Sequence, residues 1–340
     1  MTISVTHVTA SDRYAGVEAH IRTLATAQAR AGLEVSVVGG APERMQTELT
    51  SYGVGFTPAR TVWDAVLAVR RSGTQVIHSH LTAADLAAYL GTRLSRTPVV
   101  ATRHTPQSRG ATRLRREALR HTVSRAIAAE TAVSGYAAAF IEGPCTVIHA
   151  GVSTERLVPA PDRAPVILIA QRMEPEKATS EGVEIAAASG LLDEGWRLHI
   201  AGDGALRPRI EQQLAALGIA DRTSLLGRVA DARVLMRSAG VLLAPCPAEA
   251  YGLSVVEAMA CGLPVVASGA GGHVETVGSV TPESLFAPGD IASGARILAE
   301  LAADPSRRDR VGSSLHEAQQ RSFTLERQVE LTSQVYRSVL

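Results

Sequence analysis

Short apolar runs alternate with helical patterns along the whole chain, and that rhythm restricts it to a wound α/β fold. "ISVTHVT" (3–9) leads into "GVEAHIRTLATAQARAG" (16–32), where Val17, Ile21, Leu24 and Gln28 step at helical spacing and Gly32 marks a stop. "EVSVVG", "TQVIHSH", "TPVVATRH" and "TVIHAG" follow, each short and apolar. Such runs suit parallel strands covered on both faces. The rhythm breaks at "STERLVPAPDRAP" (153–165), which holds three prolines and mixed charge, and resumes with "VILIAQR", "WRLHIAGDG", "TSLLGRV", "GVLLAPC" and "LPVVASG". The pattern predicts two doubly wound domains, 1–155 and 156–322, facing a central cleft. An amphipathic helix at 323–340 is expected to pack back towards the first. In such sheets a ligand binds at the strands' carboxyl ends.

With 46% hydrophobic and 20% charged residues the chain reads as globular. It has no apolar run of transmembrane length and no leader pattern, and its three cysteines are far apart without a C-x-x-C pair. These features predict a soluble, cytoplasmic protein with reduced thiols and no structural zinc. Charge is uneven: residues 1–160 carry 17 Arg against 11 acids, whereas 161–340 carry 17 basic residues against 22 acids. Seven Arg and one Glu fall within 102–125. A solvated helix face is the first reading of that stretch. An anionic acceptor or peripheral contact with an acidic membrane is the second. Nucleic acid is not expected as a partner, because aromatics are 4% of the chain and no binding motif accompanies the charge.

Of the 34 basic residues, 33 are Arg and one is Lys177. Lysine is a compact point charge on a flexible stem, where arginine is a planar fork. Lys177 follows Arg172 by five positions after the strand "VILIA", and "GVLLAPC" leads to Glu249 and to a helix expected to open at Gly252. A helix N-terminus offers free amides to an anion, so the loops together suit a diphosphate. No D-x-D pair occurs to seat a nucleotide-bound divalent ion, and no metal is expected. Glu257, inside that helix, either accepts hydrogen bonds from the vicinal hydroxyls of a ribose or stabilises the helix as an acid near its positive end. His78 and His80 in "VIHSH" read as a packed or cleft-lining strand terminus, more readily than as a metal pair.

The spacing Glu249–x7–Glu257 in "EAYGLSVVEAMACGLPVVAS", together with Arg172–x4–Lys177, resembles the retaining glycosyltransferases of the GT-B fold, family 4. "SDRYAGVEAHI" is similar to that family's first glycine-containing loop, "PVVATRH" to the strand ending in its active-site histidine, and "AGDG", "LLGRV" and "APGD" follow in its order. The resemblance implies two Rossmann-like domains and hexosyl transfer from a nucleotide sugar to a hydroxyl, with retention of configuration and no metal or other cofactor required. It implies that Arg172 and Lys177 bind the donor pyrophosphate, that Glu249 meets the transferred sugar and that Glu257 holds the ribose. Gly252 and Leu253 would meet sugar and phosphate through their amides. Gly16 would let the chain approach the β-phosphate, His104 would lie beside the anomeric centre, and Arg228 and Val229 would border the base through backbone.

Two departures stand out. The first loop reads Ala15-Gly16 where the family often has adjacent glycines, and "HAGVS" (149–153) lies where Asn is usual, in a chain with no Asn. A UDP-sugar is the expected donor, a GDP-sugar the second choice. The expected acceptor is a small hydroxylated compound, natural-product or aminocyclitol-like; the alternatives are a lipid or cell-envelope intermediate, or a GT-B epimerase or phosphorylase. The rival nicotinamide reading of "VVASGAGGHVETVG" fails on spacing, since Val274 stands where the third small residue belongs.

Overall fold

The computed structural model describes residues 2–107, 123, 127–157 and 162–340. Most of the Arg-rich stretch 102–125 therefore lies outside the described residues. The chain divides into two compact units, Met1–Gly151 with Leu325–Leu340, and Val152–Thr324.

In the first unit the strands are β1 (Ser4–Val8), β2 (Glu34–Val38), β3 (Gly55–Thr57), β4 (Val76–His80), β5 (Val99–Arg103), β6 (Ile127–Ala132) and β7 (Thr146–Val147). They form one parallel sheet in the order β3-β2-β1-β4-β5-β6-β7. Successive side chains alternate between faces. Val5, Val35, Val37, Val76 and Val100 pack with Ile21 and Ala25 of the helix Gly16–Arg30, with Met45 and Leu49, and with Tyr336 of the helix Leu325–Val339. Val8, Val38, Ile77 and Val99 point the other way, onto Ala65, Val66 and Val69 of Val62–Ser72 and Ala84, Ala87 and Ala88 of Thr82–Thr92. Each fully buried valine or isoleucine contributes roughly 1.5–3 kcal/mol, so two-sided burial explains why these strands read as unbroken apolar runs.

The second unit repeats the plan with β8 (Val166–Ala170), β9 (Arg197–Ala201), β10 (Thr223–Gly227), β11 (Val241–Ala244), β12 (Val265–Ser268) and β13 (Leu285–Phe286), in the order β10-β9-β8-β11-β12-β13. In both sheets the winding reverses beside the first strand, between β1 and β4 and between β8 and β11. Those are the switch points at which wound sheets bind ligands.

Three strands escaped the sequence reading. β3 and β13 are edge strands of three and two residues. β6, "IAAETA", has no apolar run because Glu130 faces Arg103 of β5, with Nε to Oε1 at 3.0 Å.

Helix ends follow local chemistry. Thr61 and Asp64 cap Val62–Ser72 reciprocally, and Gly73, at φ +63°, ends it. Asp290 and Asp304 accept the amides of Ser293 and Arg307 at the starts of the helices Ile291–Ala303 and Pro305–Ser322. Among the described residues no helix is long and apolar enough to cross a membrane.

Candidate active site

In the second unit the loop after β8 carries Arg172, then a single 3-10 turn, Pro175–Lys177. Ala178 adopts a left-handed conformation, φ +52°, and starts the helix Thr179–Ala188. This sharp reversal leaves Lys177 at the switch point, where Nζ donates to Glu249 Oε2 at 2.6 Å. Glu249 comes from the loop after β11, so the contact joins the two loops flanking the reversal. Both side chains are less than a fifth exposed, 17% and 19%, which strengthens their pairing relative to a surface pair. Arg172 is more exposed, and its guanidinium donates to Glu176 at 2.9 Å.

Gly252 precedes the helix Leu253–Ala260 with φ +89°. A β-carbon there would come within 3.2 Å of the His273 ring and 3.4 Å of Glu249 Cγ. The positive φ favours glycine, and a β-carbon would crowd the His273 ring as well. His273 is buried; its Nδ1 lies 3.2 Å from the Ser268 carbonyl, so Nδ1–H donates. Burial depresses its pKa, partly offset by Glu249. The glycine-rich turn that suggested a dinucleotide site instead buttresses this loop: Gly272 N–H donates to the Glu249 carbonyl at 2.8 Å, and a β-carbon on Gly271 would sit 2.4 Å from the same oxygen.

Glu257, one turn into the helix, is pushed up to about 7 by burial, and Arg233 opposes the rise. Arg233 donates to Asp231 at 3.0 Å and to Glu155 at 3.2 Å, and Arg237 reaches the other Glu155 oxygen at 3.3 Å. Arg228 and Val229 are exposed just beyond β10.

In the first unit Gly16 begins the helix Gly16–Arg30, and a β-carbon there would meet nothing within 4 Å. Glu18 secures the loop ahead of it, accepting from Ser11 Oγ at 2.7 Å and Ala15 N–H at 3.0 Å. His104 directly follows β5 and is half-buried. It is not isolated: His80 Nδ1 lies 2.9 Å from its Nε2, and His80 Nε2 lies 3.0 Å from His7 Nδ1. Strand register makes this cluster, since His7 pairs with His78 across β1 and β4, and His80 follows two residues on, on the same face. Burial drives His7 and His20 down to about 4 and holds His78, His80 and His104 well below the ordinary histidine value.

Ring nitrogens of His7, His78 and His80 lie within 4.8 Å of one another, close enough to suggest a metal. Their hydrogen bonds argue otherwise. His7 is bound by His80 and Gln28, His78 by Tyr336 and Thr102, and His80 by His7 and His104, so all six nitrogens are already engaged. A cation would have to break this buried network to acquire three ligands.

Two family profiles match, and between them they span nearly the whole chain: "Glycosyl transferases group 1" over residues 155–316 and "Glycosyltransferase Family 4" over residues 14–156. The chain belongs to this glycosyltransferase family. Its fold is GT-B, similar at TM-score 0.84 and 19% identity to the crystal structure of Anabaena Alr3699/HepE in complex with UDP and glucose, over 99% of this chain and 100% of that one. A 2-deoxystreptamine glucosyltransferase of Streptomyces kanamyceticus is 36% identical over 144 residues, 42% of this chain but only 37% of that relative's length. A lipopolysaccharide core biosynthesis mannosyltransferase, LpcC, of Rhizobium leguminosarum bv. viciae is 27% identical over 96% of this chain and 94% of its own.

Within this chain the structure gathers Lys177, Glu249 and Gly252 at the second unit's switch point; Arg172 shares the β8 loop and Leu253 opens the helix. His104 and Gly16 stand in the first unit. Sequence reasoning missed His7, His20, Gln28, Tyr336 and His273. The one available signal was the period-two spacing of His78 and His80, which put both on the face that His7 also occupies.

Proposed function

We propose that this chain moves a hexosyl unit from a nucleotide sugar, a UDP-sugar first, to a hydroxyl of a small acceptor, with retention of configuration and without a metal. The observation that carries this reading is the Lys177–Glu249 contact at 2.6 Å beside the glycine-opened helix. It is a mobile cation held by a carboxylate in the place where a wound sheet receives phosphate. When donor binds, the diphosphate takes over the ammonium and frees Glu249 for the sugar hydroxyls. Arg172 grips the phosphates with its fork while Lys177 follows the charge that grows on the leaving oxygen. The C1–oxygen bond to phosphate breaks as the acceptor oxygen bonds to C1 on the same face, and the acceptor's proton passes to the departing phosphate. No enzyme nucleophile enters this scheme. His104 lies beside the anomeric centre, Gly16 lets the chain approach the β-phosphate, Glu257 holds the ribose, and Arg228 and Val229 border the base.

An aminocyclitol-like acceptor is supported by the likeness to the deoxystreptamine glucosyltransferase. A second reading, a GDP-sugar donor with a cell-envelope acceptor, is favoured by the end-to-end match to the lipopolysaccharide mannosyltransferase. The three cysteines are unpaired, in keeping with a cytoplasmic enzyme.

Calorimetric titration of UDP and GDP, with chelator present, tests the scheme. We expect UDP to bind in the micromolar range and Lys177→Arg to weaken it at least about tenfold. Tighter binding of GDP moves the assignment to the second reading. If neither nucleotide binds, or if Lys177→Arg binds as wild type does, the diphosphate site is wrong.

A further inference from the structure

The polar network behind His104 has a direction, and the direction can be read from its partners. Burial keeps these rings neutral, so each has one N–H donor and one bare acceptor nitrogen. Gln28 presents Oε1 to His7 Nε2 at 2.7 Å and its Nε2 to the Tyr336 hydroxyl at 3.2 Å. An amide oxygen only accepts, so His7 carries its proton on Nε2 and accepts at Nδ1. His80 then donates from Nε2 to His7 at 3.0 Å and accepts at Nδ1, where His104 Nε2 lies 2.9 Å away. On the other side of Gln28 the same direction continues. Tyr336 donates to His78 Nδ1 at 2.6 Å, His78 Nε2 donates to Thr102 at 2.6 Å, and Thr102 donates to Thr131, also at 2.6 Å. Every member is satisfied by one orientation of one amide.

We propose that Gln28 is a positioning residue that acts through His7 and His80 to hold His104 in a single tautomer, with its proton on Nε2 and its lone pair on Nδ1. Among the described residues no hydrogen bond reaches His104 Nδ1. The nitrogen left for a substrate is therefore an acceptor: it recognises a hydroxyl that donates, and discriminates against a sugar or acceptor lacking a hydroxyl at that point. This consequence rests on the placement of His104 in the transfer reaction; the tautomer itself does not. His20 supplies an internal contrast. Gln328 takes the Gly151 N–H on its oxygen at 2.9 Å and so presents its Nε2 to His20 Nε2 at 3.3 Å, which puts the His20 proton on Nδ1.

The test is long-range 1H–15N correlation on the full chain labelled at histidine nitrogens, near pH 8 and without any nucleotide, with His104 assigned from a His104→Gln variant. We expect His7, His80 and His104 to show a protonated Nε2 and His20 a protonated Nδ1. In Gln28→Met, which keeps length and apolar bulk but removes the acceptor, His104 is expected to show a second set of signals from the other tautomer. A proton on Nδ1 of wild-type His104, or a single unchanged tautomer in Gln28→Met, overturns the proposal. Should Gln28→Met not fold, the wild-type spectrum decides. Because no substrate is present, failure of sugar transfer leaves this result untouched, and the reverse holds as well.

Discussion

Acidification should weaken the first unit more than the second. In the first unit His7 and His20 titrate near 4 when folded, against 6.5 in an unfolded chain, and burial is the main cause for both. Between those values the unfolded state binds protons that the folded state refuses, so stability falls as the pH drops from 6.5 towards 4 and is fully present above 6.5. At roughly 1.4 kcal/mol per pH unit of pKa difference, each histidine accounts for about 3 kcal/mol across the window, and about 2 kcal/mol by pH 5. Part of the His20 shift is repulsion from His7, so the two contributions overlap and their sum, about 4 kcal/mol at pH 5, is an upper bound for the pair. His78, His80 and His104 shift the same way and add to it. A domain with 5–15 kcal/mol of stability, roughly, feels such a loss.

Glu257 does the opposite in the second unit. Its folded value of about 7 lies above the unfolded 4.5, so the folded state holds a proton that the unfolded chain releases, and stability falls as the pH rises from 4.5 to 7. Hydrogen exchange read by mass spectrometry, corrected for intrinsic rates, separates the units. From pH 8 to 5, peptides covering β1 and β4 should lose protection by about two orders of magnitude or more, and lose more than those covering β8 and β11, where Glu257 acts against the depressed His273 and His199. If β1 and β4 keep their protection at pH 5, the histidines are not buried neutral and the network described around them is wrong.

Three further outcomes follow from particular contacts. Lys177→Arg, forced to place a larger planar fork against a Glu249 side chain already 2.6 Å from the ammonium, should lower kcat/KM for transfer by about 10–100-fold, measured with the donor whose nucleotide binds. Gly252→Ala should cost about 1–3 kcal/mol, because alanine at φ +89° is strained and its methyl meets the His273 ring; a thermal melt that does not move would refute this. Nucleotide affinity should weaken as the pH falls below 7 in the wild type and lose that dependence in Glu257→Gln, since an ionised carboxylate accepts ribose hydroxyls better than a protonated one; parallel titrations at pH 6 and 8 check it.

The chain's own order of residues determined its wound architecture, because two-sided burial forces each central strand into an apolar run that a reader can see: all five residues of β4 and all four of β11 and β12 are buried. Local chemistry also reached the loops. The glycine at 252, the lysine at 177 and the glutamates at 249 and 257 are types that a strand-end phosphate and sugar site needs, and their spacing along one chain is visible without coordinates. Edge strands were not legible, since a two- or three-residue piece has no periodicity, and β6 hides behind an ion pair formed with its neighbour.

Tertiary structure alone decided who touches whom. Lys177 and Glu249 are 72 positions apart, and only the β8–β11 reversal puts their loops side by side. The histidine network is the stronger case. His7, Gln28, His78, His80, His104 and Tyr336 are spread over most of the chain; strand register assembles the first ring contacts, and a C-terminal helix returning to the first unit supplies Tyr336. In the sequence Gln28 read as one more residue on the buried stripe of a helix. Its position on that stripe follows from helical periodicity, but the partners that give its amide a direction come from two other elements, β1 and the helix Leu325–Val339. No local pattern encodes a hydrogen bond between residues whose neighbours are set by how strands pair.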